Sequence, residues 1–127
     1  MTPIWISSAV SAFGRRMGLS SFALNERDVA SATFENGISV AFEFANESLC
    51  VSLRVPVTPS SMVLKKLLVS AHPSNRFPFR LRTAYVAKSG RALFIVRLAE
   101  RQVTDTVLDQ VFSGLWQLAR GLEGEGR

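Results

Sequence analysis

Apolar residues return at Ile6, Val10, Phe13 and Met17, spacings of four, three and four that place them along one side of a helix. Trp5, Ala9 and Ala12 widen this stripe. Pro3 suits a first helical turn, Arg15 and Arg16 suit the last turn, where the helix dipole favours cations, and Gly18 is placed to stop the helix. From Val29 the period changes to two. Asn36-Gly37 is a hairpin signal because both residues tolerate positive φ, and Ile38, Val40, Phe42 and Phe44 then alternate with Ser39, Ala41 and Glu43. Beyond an Asn46-Glu47 turn, Leu49, Val51, Leu53 and Val55 alternate with Cys50, Ser52 and Arg54. A two-residue turn sets Phe44 opposite Leu49, Phe42 opposite Val51, Val40 opposite Leu53 and Ile38 opposite Val55, so all these apolar side chains share one sheet face.

Pro56 and Pro59 end the third strand, and Ser60 or Ser61 can cap a second helix carrying Met62, Val63, Leu64, Leu67 and Leu68, closed by His72-Pro73. After a loop from Ser74 to Pro78, two strands, Phe79 to Lys88 and Arg91 to Leu98, flank Ser89-Gly90. With a two-residue turn there, Tyr85 faces Phe94, Thr83 faces Val96 and Leu81 faces Leu98. The last periodic segment runs through Val107, Leu108, Val111, Phe112, Leu115, Trp116 and Leu118, with Thr104 as cap and Gly121 as stop. The order is helix-strand-strand-strand-helix-strand-strand-helix, an α+β fold with helices packed on an antiparallel sheet. No linker divides it, so residues 1–127 read as one domain with a short flexible tail from about 121.

The second face of the last hairpin is not polar. It sets Val86 opposite Leu93, Ala84 opposite Ile95 and Arg82 opposite Arg97. A sheet with one solvated face alternates cleanly, so apolar residues on both sides ask for a second cover: a helix of the same chain, a dimer partner or a bound peptide.

Hydrophobic residues at 47% and charged residues at 20% describe a folding chain and not a disordered tail. No apolar run approaches the roughly 18 residues of a membrane span. A single cysteine, Cys50, excludes an internal disulfide and points to a reducing compartment. The stretch from Ile4 to Phe13 lacks the basic start of a signal peptide and is broken by Ser7, Ser8 and Ser11, so a cytoplasmic location is expected.

One His and one Cys cannot assemble a tetrahedral metal site within one chain. His72 sits at a helix end beside Pro73, Cys50 has no neighbour in sequence that would lower its pKa, and the carboxylates are scattered. Neither a Walker pattern nor a Gly-x-Gly-x-x-Gly fingerprint occurs. The residues therefore read as a module that binds another polypeptide, with no catalytic residue, metal or cofactor. Lys and Arg exceed Asp and Glu by 15 to 10, and Arg80, Arg82, Arg91, Arg97 and Arg101 gather around the last hairpin. That cluster keeps a basic nucleic-acid-binding module as the alternative. No exposed aromatic platform accompanies it, however, and the closing helix is acidic at its start.

The opening amphipathic helix is followed by Phe22-Ala-Leu-Asn-Glu26, the Asn36-Gly37 hairpin, Ile38-Ser-Val-Ala-Phe-Glu-Phe44 and Ser48-Leu-Cys-Val-Ser-Leu-Arg-Val55. Then come the Lys65-Lys-Leu-Leu68 helix, the Ser89-Gly90 hairpin and a closing helix with Leu115-Trp116. Over nearly the whole chain this succession resembles the class I type III secretion chaperones of Gram-negative bacteria. The resemblance implies a cytoplasmic bacterial protein that uses no nucleotide or cofactor and works as a homodimer, or as a heterodimer with a related chaperone. Its partner would be the extended N-terminal region of a secreted effector or translocator, kept stable and export-competent. A chaperone-fold subunit or regulator of the secretion apparatus would share every one of these features. Such chaperones are commonly acidic, whereas this chain has a pI near 10.4, which suits an acidic client segment or an acidic dimer partner. Candidate client or dimer surfaces are Ile6, Val10 and Phe13 on the first helix, and Val86, Leu93 and Ile95 with Arg82 and Arg97 on the last hairpin. On the second helix, Leu64, Leu67 and Leu68 are dimer interface candidates.

Overall fold

Several turns and helix ends among the described residues are closed by local hydrogen bonds or capping side chains. In the computed structural model, which describes residues 2–58, 60–71 and 78–123, the first helix, α1 (Ile4–Arg16), starts after Pro3 and ends with Met17 and Gly18 bonded back to Phe13 and Arg15 carbonyls. Strands β1 (Val29–Thr33), β2 (Ser39–Ala45) and β3 (Ser48–Pro56) follow as an antiparallel meander. Helix α2 (Ser61–Ala71) is capped by Ser60, whose Oγ accepts from the Val63 N–H at 3.1 Å. Strands β4 (Leu81–Val86) and β5 (Arg91–Ala99) lead through a short 3₁₀ turn (Glu100–Gln102) to helix α3 (Asp105–Glu123). Thr104 caps α3 by accepting from the Val107 N–H at 3.1 Å. The helix runs on past Gly121, the expected stop, because Leu122 is buried and continues the apolar face. Pro59, His72, Pro73 and residues 74–77 and 124–127 lie outside the described residues.

The sheet order is β1-β2-β3-β5-β4, antiparallel throughout. Since β5 separates them, β3 and β4 run parallel, and α2 makes the crossover between them as a split β-α-β unit. Among the described residues the architecture is α+β with three α-helices and five strands, in the order expected from the periodicity.

Between β2 and β3 the observed register pairs Phe44 with Leu49, Phe42 with Val51 and Val40 with Leu53, as the two-residue Asn46-Glu47 turn requires. Both turn residues have positive φ, 52° and 60°, the geometry of a type I′ turn. Asn tolerates it, whereas the Cβ of Glu47 is strained there. Glu47→Gly is therefore expected to stabilise the fold by about 0.5–1 kcal/mol, read as a higher urea midpoint with an unchanged slope.

The β4–β5 hairpin departs from expectation. Its loop has four residues, 87–90, closed by Ser89 and Gly90 N–H groups on the Val86 carbonyl, with Gly90 at φ 64°. The register consequently moves by two: Leu81 pairs with Val96, Thr83 with Phe94 and Tyr85 with Ala92, and on the other face Arg82 pairs with Ile95, Ala84 with Leu93 and Val86 with Arg91. An even shift keeps every side chain on its own face, so the hydrophobic pattern permits either register.

All three helices lie on one side of the sheet. Val40, Phe42, Phe44, Leu49, Val51, Leu53, Val55, Phe94, Val96 and Leu98 meet Ile6, Val10 and Phe13 of α1, Val63 and Leu67 of α2, and Leu108, Val111 and Leu115 of α3 in one core. Its centre is aromatic: the Phe13 ring lies 4.8 Å from Phe42, 5.2 Å from Phe112 and 5.8 Å from Phe22. Gly14 lets Phe22 close over α1, since a Cβ there would stand 2.7 Å from the Phe22 Cβ. Arg16 joins α1 to α3 outside the core, donating from Nη2 to Asp109 Oδ1 at 2.8 Å.

Candidate partner-binding surfaces

The expected first-helix surface is corrected by this packing. Ile6, Val10 and Phe13 have no exposed surface and belong to the core of the single chain. What α1 leaves outside is Ile4 and Trp5, the latter 46% exposed. The wheel explains the difference: at about 100° per residue, Trp5 sits about a quarter-turn from Ile6, off the stripe it was expected to widen. With Ser8, Ala12 and Val103 these two side chains border a wide, open hollow of about 800 Å³ between α1 and the start of α3.

Helix α2 is apolar on nearly every side. Val63 and Leu67 turn inward and are buried, the Leu67 carbonyl accepting from Thr83 Oγ1 at 3.0 Å. Leu67 therefore belongs to the core and not to an interface, because its side chain packs on the sheet. Met62 and Leu64 fall about 100° to either side of Val63, and with Val69 they are about half exposed, at 50%, 45% and 58%. The side chain of Leu68 lies outside the described residues. A groove of about 370 Å³ runs between α2 and α3, floored by Met62, Val69, Leu118 and Leu122 and edged by Lys65 and Lys66.

Among the described residues, the sheet's other face carries no helix, and no strand residue on it is buried. Leu93 and Ile95 are half-buried on β5, Val86 is exposed on the edge strand β4, and Arg82 and Arg97 are exposed to solvent. The expected hairpin residues are thus gathered on one surface, while the expected α1 residues are not part of any surface. Of the hairpin residues, Arg82, Ile95 and Arg97 line a depression of about 500 Å³ together with Arg80, Ser48, Cys50 and Gln102. Gln102 is placed there by the 3₁₀ turn, its Oε1 accepting from the Ala99 N–H at 2.8 Å, a position no sequence period marks.

Cys50 pairs across the sheet with Glu43 on one side and Arg97 on the other. Burial pushes its thiol up; the Arg97 guanidinium pulls the other way, and the Glu43 carboxylate adds to the rise. A raised thiol pKa leaves less thiolate at neutral pH. Alkylation of Cys50 by iodoacetamide in the folded protein is expected to run several-fold slower than in urea, with the gap narrowing as pH rises. Among the described residues no three of His, Cys, Asp and Glu stand close enough to hold a metal ion, and no helix is long and apolar enough to cross a membrane.

No protein-family model matches the sequence, and no curated protein matches it. Solved structures do. The crystal structure of the ExsC-ExsE complex aligns at a TM-score of 0.73 with 20% identity, over 91% of this chain and 89% of the other. The Yersinia pestis type III secretion chaperone SycH, in complex with a stable fragment of YscM2, aligns at 0.68 with 20% identity over 92% and 98%. The heterodimeric complex ExoU-SpcU from the type III secretion system of Pseudomonas aeruginosa aligns at 0.63 with 15% identity over 94% and 98%. The fold of this chain is therefore the secretion-chaperone fold.

Proposed function

We propose that this chain is a type III secretion chaperone: a non-catalytic, cytoplasmic bacterial protein that binds the extended N-terminal region of a secreted protein and keeps it stable and export-competent. The observation that carries the reading is the excess of apolar surface left outside a complete core. The chain buries one full side of its sheet, yet half-exposed leucine, isoleucine, valine and methionine remain on α2 and on the open face. Apolar patches of this kind, rimmed by lysine and arginine, are interaction surfaces. The secretion-chaperone fold supports assigning them to a client and to a second copy or a related chaperone. The α2 surface suits a two-fold seam, since one apolar helix face can meet itself.

The test is co-expression with the product of the neighbouring reading frame. That product is expected to co-purify with the chain after nuclease treatment and to be lost when its N-terminal region is removed. Retention that disappears with nuclease, and affinity that falls steeply with salt, would make this a nucleic-acid-binding protein instead.

The open face and the α2 seam can be separated. Leu93→Asp with Ile95→Asp places two charges where an apolar partner would sit, and an unpaired buried charge costs several kcal/mol, enough to abolish micromolar binding. A folded dimer that no longer retains its client is the expected result. A folded monomer would instead identify the open face as the seam, and a folded dimer that retains its client would remove both roles from it. Circular dichroism, light scattering and pull-down distinguish the three.

A further inference from the structure

The observed strand register gives the open face a pattern that neither strand shows alone. Ile95 has Arg82 as its cross-strand neighbour, Leu93 has Arg54, and Val86 has Arg91. Each large aliphatic side chain on this half of the sheet therefore stands beside a guanidinium. Arg97 follows Ile95 on β5, and Arg80 borders the same depression. Against these five arginines the strand positions of the face carry one acid, Glu43, two strands from Arg97 and so about 10 Å away. No ion pair engages Arg54, Arg80, Arg82, Arg91 or Arg97 among the described residues, whereas Arg16 pairs with Asp105 and Asp109.

We propose that this face is the docking surface for an extended client segment in which acidic and aliphatic residues are interspersed. The inference rests on the chaperone reading and adds the chemistry of the partner. Charge complementarity selects the occupant. A second copy docked face to face would oppose arginines to arginines, with a single Glu43 from each chain to offset them, and like charges in apposition disfavour a partner. A single-stranded nucleic acid needs aromatic faces to stack on, and the strand positions of this face hold none: they are Ser, Ala, Thr, Cys, Pro, Val, Leu, Ile, Arg and Glu. Carboxylates suit the fork of the guanidinium, and aliphatic side chains suit Ile95 and Leu93 between the arginines. The excess of basic residues over acidic ones then becomes a property of the client surface.

The experiment uses the full chain and a labelled synthetic peptide repeating Glu-Glu-Val-Val, which when extended presents both residue types on each side. Peptides with Lys or Gln in place of Glu, and oligothymidylate, are the comparisons. Fluorescence anisotropy is expected to show binding of the acidic peptide that weakens with salt, weaker binding of the Gln peptide and none of the Lys peptide. Arg82→Glu with Arg97→Glu is expected to lower affinity for the acidic peptide at least about tenfold, and Arg82→Gln with Arg97→Gln by less. Both pairs change exposed side chains, and circular dichroism checks that each variant folds. No binding of the acidic peptide, or equal binding by the folded charge-reversed variant, overturns the proposal. Oligothymidylate binding as tightly as the peptide, and lost in the same variant, overturns it in favour of nucleic acid. If the peptide test fails while the neighbouring reading frame's product is still retained, the chaperone reading stands without this surface. If arginine-dependent peptide binding is found but no secreted protein is retained, the surface stands and the chaperone reading falls.

Discussion

Leu64→Asp with Val69→Asp is expected to turn a dimer of this chain into a folded monomer. The two side chains sit on opposite flanks of the α2 surface, at 45% and 58% exposure, and neither belongs to the core. Asp in a single chain would face solvent there, so the change in monomer stability should stay within about 1 kcal/mol. In a two-fold seam every substitution counts twice, and each carboxylate buried without a partner costs several kcal/mol. Dissociation should strengthen by more than about a thousandfold, and light scattering should move from twice the chain mass to 14.0 kDa. A wild-type chain that is already monomeric at tens of micromolar would point to a related chaperone as partner, with α2 as the surface to test on the heterodimer. A dimer unaffected by both charges would place the seam elsewhere.

Phe13→Ala carries the largest expected cost to folding. Phe13 has no exposed surface and packs on three other phenylalanine rings, one from each of β2, α3 and the segment after α1. Truncation removes most of a buried aromatic side chain and leaves a cavity that the sheet and α3 cannot both close, a loss of about 3–5 kcal/mol. Much of a small domain's stability would go. Chemical denaturation should show a midpoint displaced by that amount with little change in slope. Trp5→Ala on the same helix is the contrast: its ring is half outside, and the midpoint should move far less.

The two substitutions separate what an amphipathic pattern says from what it leaves open. The spacing of Ile6, Val10 and Phe13 marks a face that must leave water, but burial against one's own sheet and burial against a partner follow the same period. The expectation that this stripe is shared with a client was therefore open to correction by packing alone. Helix α2 shows the complementary case. Its apolar residues have no single face, so the division of Val63 and Leu67 from Met62, Leu64 and Val69 depends on where β4 and α3 stand.

Local chemistry was sufficient wherever a short-range device permits one answer. The Asn46-Glu47 turn sets the β2–β3 register, because a two-residue hairpin loop pairs Ala45 with Ser48 and every further pair follows from that one. The caps at Ser60 and Thr104 mark the starts of α2 and α3 through side chains that accept from N–H groups left without partners. Element order, the α+β class and the buried sheet face follow from those devices and from the two periods. The tertiary structure alone decided the β4–β5 register, since a loop of two or four residues keeps the same parity and differs only in turn bonding and in what stacks across strands. That choice sets Arg82 beside Ile95 instead of opposite Arg97, and so makes a mixed basic and apolar surface from residues whose sequence shows only that they share a face.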